Sequence, residues 1–541
     1  MKGTVFDAFA RAAAGHAGGP FLHIPAAACG HYASGALEYS YADTLRHARE
    51  LQACYAGANY GRGQRIALLL ENRPDFFFHW LALNALGASV VPLNAEQPAR
   101  ELAWLLEHNG ACLVVSVPER SALAEAAGAL LADTVPLWNI SSPAPPQARV
   151  PCAAGSPDAG DECALLYTSG STGKPKGCML ANDYFTRFGK WYRDLGGLCE
   201  LREGRERLIT PLPLNHMNAM AVSTMGMIMS GGCVVQLDRF HPGTWWQTVR
   251  DSGATIVHYL GVMPAILLNL PPAAGDDFSA QLRFGFGAGV NPRHHAAFEH
   301  RFGFPLIEAW AMTESGSGGC IIANREPRHV GSCCFGKPSA ALEYRLVDES
   351  GADVPSGEAG ELLVRASGAN PRAGFFAGYL GNPAATQEIW AGGWLHTGDV
   401  VRAGSDGALH FVDRRKNVIR RSGENIAALE VEAALADDPA IAEVVVTGVP
   451  DEIRGEEVMA CVVPAAGATV DADAARAIQR RALASLAYFK APGYVVFVDE
   501  VPRTASQKPQ RAQIKDLAGG WLASPRCIDL RALKKRPPES V

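Results

Sequence analysis

From Arg65 onward, short β-branched or apolar runs alternate with amphipathic stretches of helical length: RIALLLE, RPDFFFHWLALNALGA, SVVPLN, ARELAWLLEHNGA and CLVVSV. Period-2 and buried strand-like runs separated by 3.6-period segments predict parallel, doubly wound α/β sheets. The rhythm resumes with RLITPLP, CVVQL, TIVHYL, LRFGFGAG and PLIEAWAM. From about Ala341 it gives way to strand after strand, ALEYRLVD, GELLVR, DVVRAG and ALHFVD, with turn residues such as Ser405, Asp406 and Gly407 between them. This predicts a smaller antiparallel piece. Beyond Asp413 the pattern is α+β, and the polar run DRRKN, Asp413 to Asn417, is the joint. With 541 residues the chain exceeds what one core organises. The expected division is 1–412, a hinge at 413–417, and a smaller unit at 418–541. The tail LKKRPPESV, from Leu533, reads as frayed and solvated.

Charge and cysteine usage exclude several classes. A formal charge of -6 and the lack of a long basic stripe argue against nucleic acid. Thirteen scattered cysteines without a C-x-x-C pair predict neither a disulfide scaffold nor a zinc ribbon, and fit a reducing, cytoplasmic setting. Asp7 and Arg11 interrupt the N-terminal apolar residues, so that segment reads as an amphipathic helix. Leu212 to Leu237 carries no Asp, Glu, Lys or Arg over a membrane-spanning length. Its Asn, His, Ser and Thr residues and the Gly231-Gly232 break predict instead a buried helix and a strand, with no stable membrane insertion.

One loop carries the chemistry. In LLYTSGSTGKPKGCML, Gly170, Gly173 and Gly177 let backbone amides turn toward one point, while Thr168, Ser169, Ser171 and Thr172 add donors and Lys176 adds charge. That is an anion nest. It is not a Walker A loop, because five residues after Gly170 stands Pro175 and neither Ser nor Thr follows Lys176. A second glycine cluster, FGFGAGV, has Val290 where a dinucleotide fingerprint needs a third Gly or Ala.

YTSGSTGKPKG resembles the phosphate-binding signature of the adenylate-forming superfamily of acyl-CoA synthetases, carrier-protein adenylation domains and luciferases. WAMTES, GWLHTGD, FVDRRKNVIRRSGENI and PRTASQK follow in that superfamily's order, so the similarity spans nearly the whole chain. The resemblance implies a large N-terminal domain of two doubly wound sheets with a small β-barrel-like subdomain, and a mobile α+β C-terminal domain. It also implies the reaction: a carboxylate attacks the α-phosphate of ATP, pyrophosphate leaves, and the acyl group passes from AMP to a thiol. Because an anion must approach a polyanion, cations and amide donors have to be aimed at the developing charge.

Residue by residue, the resemblance makes Glu314 a Mg²⁺ ligand, with Thr168 beside it, and Thr313 a hydroxyl at the α-phosphate. Trp310 stands where a tyrosine commonly stacks on adenine; core packing is the alternative. Gly287, Ala288 and Gly289 resemble the wall of the adenine and acyl pockets. Asp399 and Arg414 resemble the pair that holds the ribose, each an ordinary surface charge if taken alone. Lys508 matches the lysine brought in for adenylation, although Gln507 replaces a common glycine before it. Lys416 matches the hinge, and Ser422, Gly423 and Glu424 match the loop lining the thiol tunnel after the domain turns.

The acid and the thiol are less constrained. Asn215, His216 and Met217 offer no acid for an α-ammonium, which disfavours an amino-acid substrate. Five of the ten methionines lie between Met217 and Met229, fitting either core filling or an adaptable pocket wall. His216 fits either a satisfied core imidazole or a gate in the catalytic machinery. No carrier-protein domain follows, which favours free coenzyme A, and the layout looks most like ligases of the crotonobetaine/carnitine-CoA type. Expected partners are ATP, Mg²⁺, coenzyme A and a small carboxylic acid, in a monomer or homodimer. The alternatives are an enzyme loading a carrier protein, a non-catalytic nucleotide binder, and a light-emitting relative.

Overall fold

In the computed structural model, residues 3–168, 175–421, 424–451, 454–486, 488–503 and 508–534 are described. Four sheets organise them. The first runs Ile321–Ile322, Leu306–Trp310, Phe284–Ala288, Ile256–Leu260, Arg207–Thr210, Cys233–Gln236, Pro20–Ile24, Leu37–Ser40. The second runs Gly378–Tyr379, Lys176–Ala181, Glu162–Thr168, Ser89–Pro92, Arg65–Leu69, Leu113–Ser116, Leu137–Asn139. Both are parallel in the middle, where β-branched runs are buried on two faces, as the alternation predicts.

Their edges depart from that prediction. Leu37–Ser40, Ile321–Ile322, Lys176–Ala181 and Gly378–Tyr379 each pair antiparallel. The glycine-rich loop therefore does not feed a helix. It closes a hairpin in which Thr168 stands opposite Lys176, and a chain that turns straight back beside its own strand must pair antiparallel.

Between the two sheets lies the helix Pro74–Ala85, whose consecutive buried residues include Phe76, Phe77, Phe78, Trp80 and Leu81. A helix apolar all round is one with protein on every side. The N-terminal amphipathic helix, Val5–Gly15, starts on a capping box of Thr4 and Asp7. The charge-free passage forms a π-helical turn, Asn218–Thr224, then Met225–Ser230 and the strand Cys233–Gln236. Met220, Met225 and Met227 are fully buried there, so most of that methionine cluster fills core. Among the described residues no helix is long and apolar enough to cross a membrane.

The antiparallel piece has five strands in the order Cys334–Gly336, Leu409–Arg414, Leu395–Ala403, Ala359–Ala366, Leu342–Val347. Beyond it, strands Val418–Arg421, Ile441–Asp451, Gly455–Pro464 and Tyr494–Phe497 and helices Ala428–Leu435 and Ala472–Ser485 build a smaller α+β unit. The buried apolar clusters follow the same division: those reaching from Val5 to Leu409 share no residue with those reaching from Ile419 to Leu530. Where they meet, buried Asp413 accepts from the Arg414 amide at 2.7 Å and the Leu429 amide at 3.1 Å. Arg293 and Asp437 form an ion pair across the two units.

One expectation fails at Lys534; the rest of that tail, from 535, lies outside the described residues. Lys534, in the segment read as frayed, is buried, and its ammonium donates to Glu457 at 2.6 Å and to the Phe489 carbonyl at 3.1 Å. Arg421 donates to the same carboxylate at 2.8 and 2.9 Å. A carboxylate buried with one guanidinium gains a second cation when the chain end folds back over it.

Candidate functional site

A cleft of about 1390 Å³ opens where the sheets and the smaller unit meet. The hairpin brings Thr168 and Lys176 to its wall, the turn after Leu306–Trp310 brings Thr313 and Glu314, and the segment after Arg207–Thr210 brings Asn215 to Asn218. Arg414 and Arg415 enter from the end of Leu409–Arg414, and Lys508 and Gln510 from the smaller unit. Thus Thr168, Lys176, His216, Thr313, Glu314, Arg414 and Lys508 share one cavity although they span most of the sequence.

Glu314 is buried, and its Oε1 accepts from the Tyr379 hydroxyl at 2.8 Å and the Thr168 hydroxyl at 3.4 Å. Two hydroxyls thus anchor this carboxylate through Oε1 in the cleft wall. Lys176 lies 4.9 Å from the Tyr379 ring centroid, a cation–π distance. The backbone carbonyl of Thr313 is held by the Tyr184 hydroxyl at 3.0 Å. No group of three or more His, Cys, Asp or Glu side chains suited to a metal occurs among the described residues. The donor set, a single carboxylate with hydroxyl neighbours, suits a Mg²⁺ ion that keeps waters and bridges phosphates.

Asp399 is buried at the cleft's edge beside cleft-lining Gly398 and Arg414. Its Oδ2 accepts from the Trp310 indole N–H at 2.8 Å. Its Oδ1 lies 2.8 Å from Arg414 Nε but off the N–H axis, so the contact is an ion pair in which Oδ1 receives no hydrogen bond. Burial pushes the Asp399 carboxyl up, against the pull of Arg414 and the indole. An orphaned buried acceptor fits a ligand hydroxyl. Trp310 is 6% exposed, 6.1 Å from the Phe335 ring, and is not among the side chains that line the cavity. Its packing matches the core alternative, and its indole also orients Asp399.

His216 is exposed inside the cleft yet crowded by protein mass around it. That desolvation, then the Lys508 ammonium, lowers its imidazole to about 4, so it is neutral at pH 7. Lys508 is likewise open to cleft solvent; desolvation and then Arg414 lower its ammonium.

The strand Phe284–Ala288 ends with Ala288 and Gly289 exposed, Gly289 at φ +79°. A Cβ on Gly287 would stand 2.4 Å from the Tyr259 carbonyl oxygen, so the strand spacing requires glycine there. Ser169, Gly170, Ser171, Thr172, Gly173, Ser422 and Gly423 lie outside the described residues. Glu424 begins the strand Glu424–Ala427.

Sequence reasoning missed three participants. Tyr379, a lone tyrosine among glycines, carried no signal. Glu361 accepts from Arg415 at 2.7 Å and from the Gly398 amide at 3.2 Å. Glu308 holds the Gly289 and Val290 amides at 2.9 and 3.0 Å, with burial pushing its carboxyl up. It could have been found, because it is the one acid inside the apolar run PLIEAWAM.

Comparison with known proteins gives the following. Residues 10–380 match the AMP-binding enzyme family and residues 430–508 the AMP-binding enzyme C-terminal domain. Crotonobetaine/carnitine–CoA ligase of Escherichia coli O8 (strain IAI1) is 30% identical over 492 residues, covering 88% of this chain and 93% of the relative. The anthranilate CoA ligase AuaEII in complex with anthranoyl-AMP superposes with a TM-score of 0.81 at 23% identity, covering 97% and 99% of the two chains. ATP-bound MatB from Rhodopseudomonas palustris gives 0.78 at 23% identity, covering 95% and 99%.

Proposed function

The chain belongs to the AMP-binding enzyme family, and from that premise we propose how its cleft joins a carboxylic acid first to AMP and then to coenzyme A. It is an AMP-forming acid–CoA ligase. In the first step a carboxylate oxygen attacks the α-phosphorus of ATP, the bond to pyrophosphate breaks, and acyl-AMP forms. In the second, the thiolate sulfur of coenzyme A attacks the acyl carbon and AMP leaves.

One observation carries the reading: Lys508, contributed by the smaller unit, lines the same cleft as Thr168, Lys176, Thr313 and Glu314 of the larger one. Positive charge from two separately cored units converges where an anion must meet a polyanion, and a fixed cation is worth most where water is excluded. The stretch Thr168 to Gly173 holds the phosphates, with Thr313 at the α-phosphate. Asp399 and Arg414 hold the ribose, Asp399 through the oxygen that has no donor. Gly287 to Gly289 border the adenine, while Trp310 acts from behind by orienting Asp399. Glu314, with Thr168, would hold Mg²⁺, and that ion would supply charge to neutralise the phosphates. His216, neutral beside Lys508, lets a carboxylate approach the ammonium without a second cation competing for it.

The same space must be cleared for the thiol. Residues 418–541 therefore turn as a body against 1–412 about 413–417, withdrawing Lys508 and presenting Ser422, Gly423 and Glu424. The test separates the half-reactions. Lys508→Ala is expected to lose on the order of 10² in acid-dependent ATP–pyrophosphate exchange, while conversion of supplied acyl-AMP and coenzyme A to thioester loses far less. Equal losses in both would overturn the assignment.

A further inference from the structure

Beside the catalytic groups, the cleft wall holds a side chain that the adenylation chemistry does not use. Asn218 lines the cleft at the start of the π-helical turn Asn218–Thr224, a rare backbone form frequent at functional sites. Behind it runs a buried polar chain. The Tyr192 hydroxyl lies 2.9 Å from His258 Nε2, His258 Nδ1 lies 2.7 Å from Ser223 Oγ and 3.2 Å from Asn218 Oδ1, and Ser223 Oγ lies 3.1 Å from the Asn218 carbonyl oxygen. Tyr192, Ser223 and His258 are all fully buried.

Proton accounting fixes this chain's direction. Among the described residues the Tyr192 hydroxyl has one partner, so its proton goes to His258 Nε2, which must be the acceptor. Burial keeps the imidazole neutral, at about 3, so its single proton sits on Nδ1. Nδ1–H then donates toward Ser223 Oγ and Asn218 Oδ1, and the Ser223 proton goes to the Asn218 carbonyl. Turning the Asn218 amide over would set its NH₂ against an N–H donor. The amide oxygen is therefore held inward and the NH₂ is presented outward.

The stretch that carries this amide into the wall, Leu212 to Asn218, holds no ionised side chain, and the charge that acts on neighbouring His216 is the Lys508 ammonium. Leu260 lies two residues beyond His258 on the same strand, hence on the same face. Met217 and Met312 line the wall with it, and the nearby polar groups are Asn215 and neutral His216. None of these is a carboxylate or a Phe, Tyr or Trp face of the kind that recognises a quaternary ammonium.

We propose that Asn218, oriented through Ser223, His258 and Tyr192, is a specificity-determining donor that selects acids uncharged beyond the carboxylate and carrying a hydroxyl, oxo or ether oxygen in the acyl chain. This rests on the ligase reading above and names its substrate class. A site that holds a fixed buried-side donor rejects an analogue lacking the acceptor because the donor is left unpaired.

The test is pyrophosphate exchange with butanoic, 3-hydroxybutanoic and 4-hydroxybutanoic acids and carnitine, using the wild-type chain, Asn218→Leu and Tyr192→Phe. The wild type is expected to prefer one of the two uncharged hydroxy acids over butanoic acid by about ten- to a hundredfold in kcat/KM, and to prefer it over carnitine. Asn218→Leu should collapse the hydroxy-to-alkyl ratio toward one. Tyr192→Phe, which frees His258 to change tautomer, should lower the same ratio severalfold without touching the cleft wall, and it decides the matter if the leucine variant fails to fold. A wild-type ratio near one, a ratio unmoved by both substitutions, or carnitine as the best acid would overturn the proposal. Absence of exchange with every acid would instead overturn the ligase reading on which it stands.

Discussion

Two buried carboxylates, one in each unit, are handled in opposite ways. Glu457 in the smaller unit is saturated: Arg421, Lys534 and the Val458 amide all donate to it within 3.0 Å. Asp399 in the larger unit takes one hydrogen bond, from Trp310, and keeps an oxygen with none. Both lie where a bare charge is costly. The saturated acid holds a fold together; the unsaturated one keeps an acceptor for the ligand proposed above.

This contrast is open to attack, first where the effect is largest. Glu457→Gln leaves two cations buried without an anion and is expected to destabilise the smaller unit by about 3–5 kcal/mol, as removal of one partner from a buried pair does. Urea unfolding followed in that unit would check it, and a loss within error would make Glu457 no more structural than Asp399. Asp399→Asn should do the reverse. It keeps the shape and the acceptor for Trp310, so stability should change little, while kcat/KM for ATP falls roughly tenfold, the value of one charged hydrogen bond. A protein that unfolds earlier but keeps its ATP kinetics would erase the distinction.

The smallest effect lies in pH. Burial lowers the Lys534 ammonium from its ordinary 10.5 to about 8, despite Glu457. Between those two values the unfolded chain holds a proton that the folded chain has released. Stability from this group therefore rises as pH rises through that window, by at most about 1.4 kcal/mol per unit. Below about 8 both states are protonated and the slope vanishes. Lys534→Met should lack this component when unfolding free energies are compared from pH 7.5 to 10, and a wild-type slope identical to that of the variant would remove Lys534 from the account.

The sequence disclosed whatever depends on local pattern. Strands such as TIVHYL and EVMACVV and helices such as AARAIQRRALASLA lie where their periodicity puts them. Long motifs brought Thr313, Glu314 and Lys508 into view because their residue types are improbable together by chance. What escaped depends on partners distant in sequence. Lys534 sits in a run of basic residues that reads as solvated, and only the depth of Glu457 makes it a core residue. The antiparallel edge Lys176–Ala181 follows from its pairing as a hairpin with Glu162–Thr168 and not from apolar content. The polar chain behind Asn218 joins Tyr192, Ser223 and His258, three residues whose alignment exists only once helix and strand are packed.

The carboxylate of Asp413 reaches across the joint to the Leu429 amide at 3.1 Å. The turn proposed above would have this contact let go and later be remade. A neutral-to-charged link of this kind is worth about 1.5 kcal/mol, roughly a tenfold tilt in how often each orientation is visited. In the proposed turn this one side chain would act as a weak detent, tilting which orientation is favoured without forbidding the other.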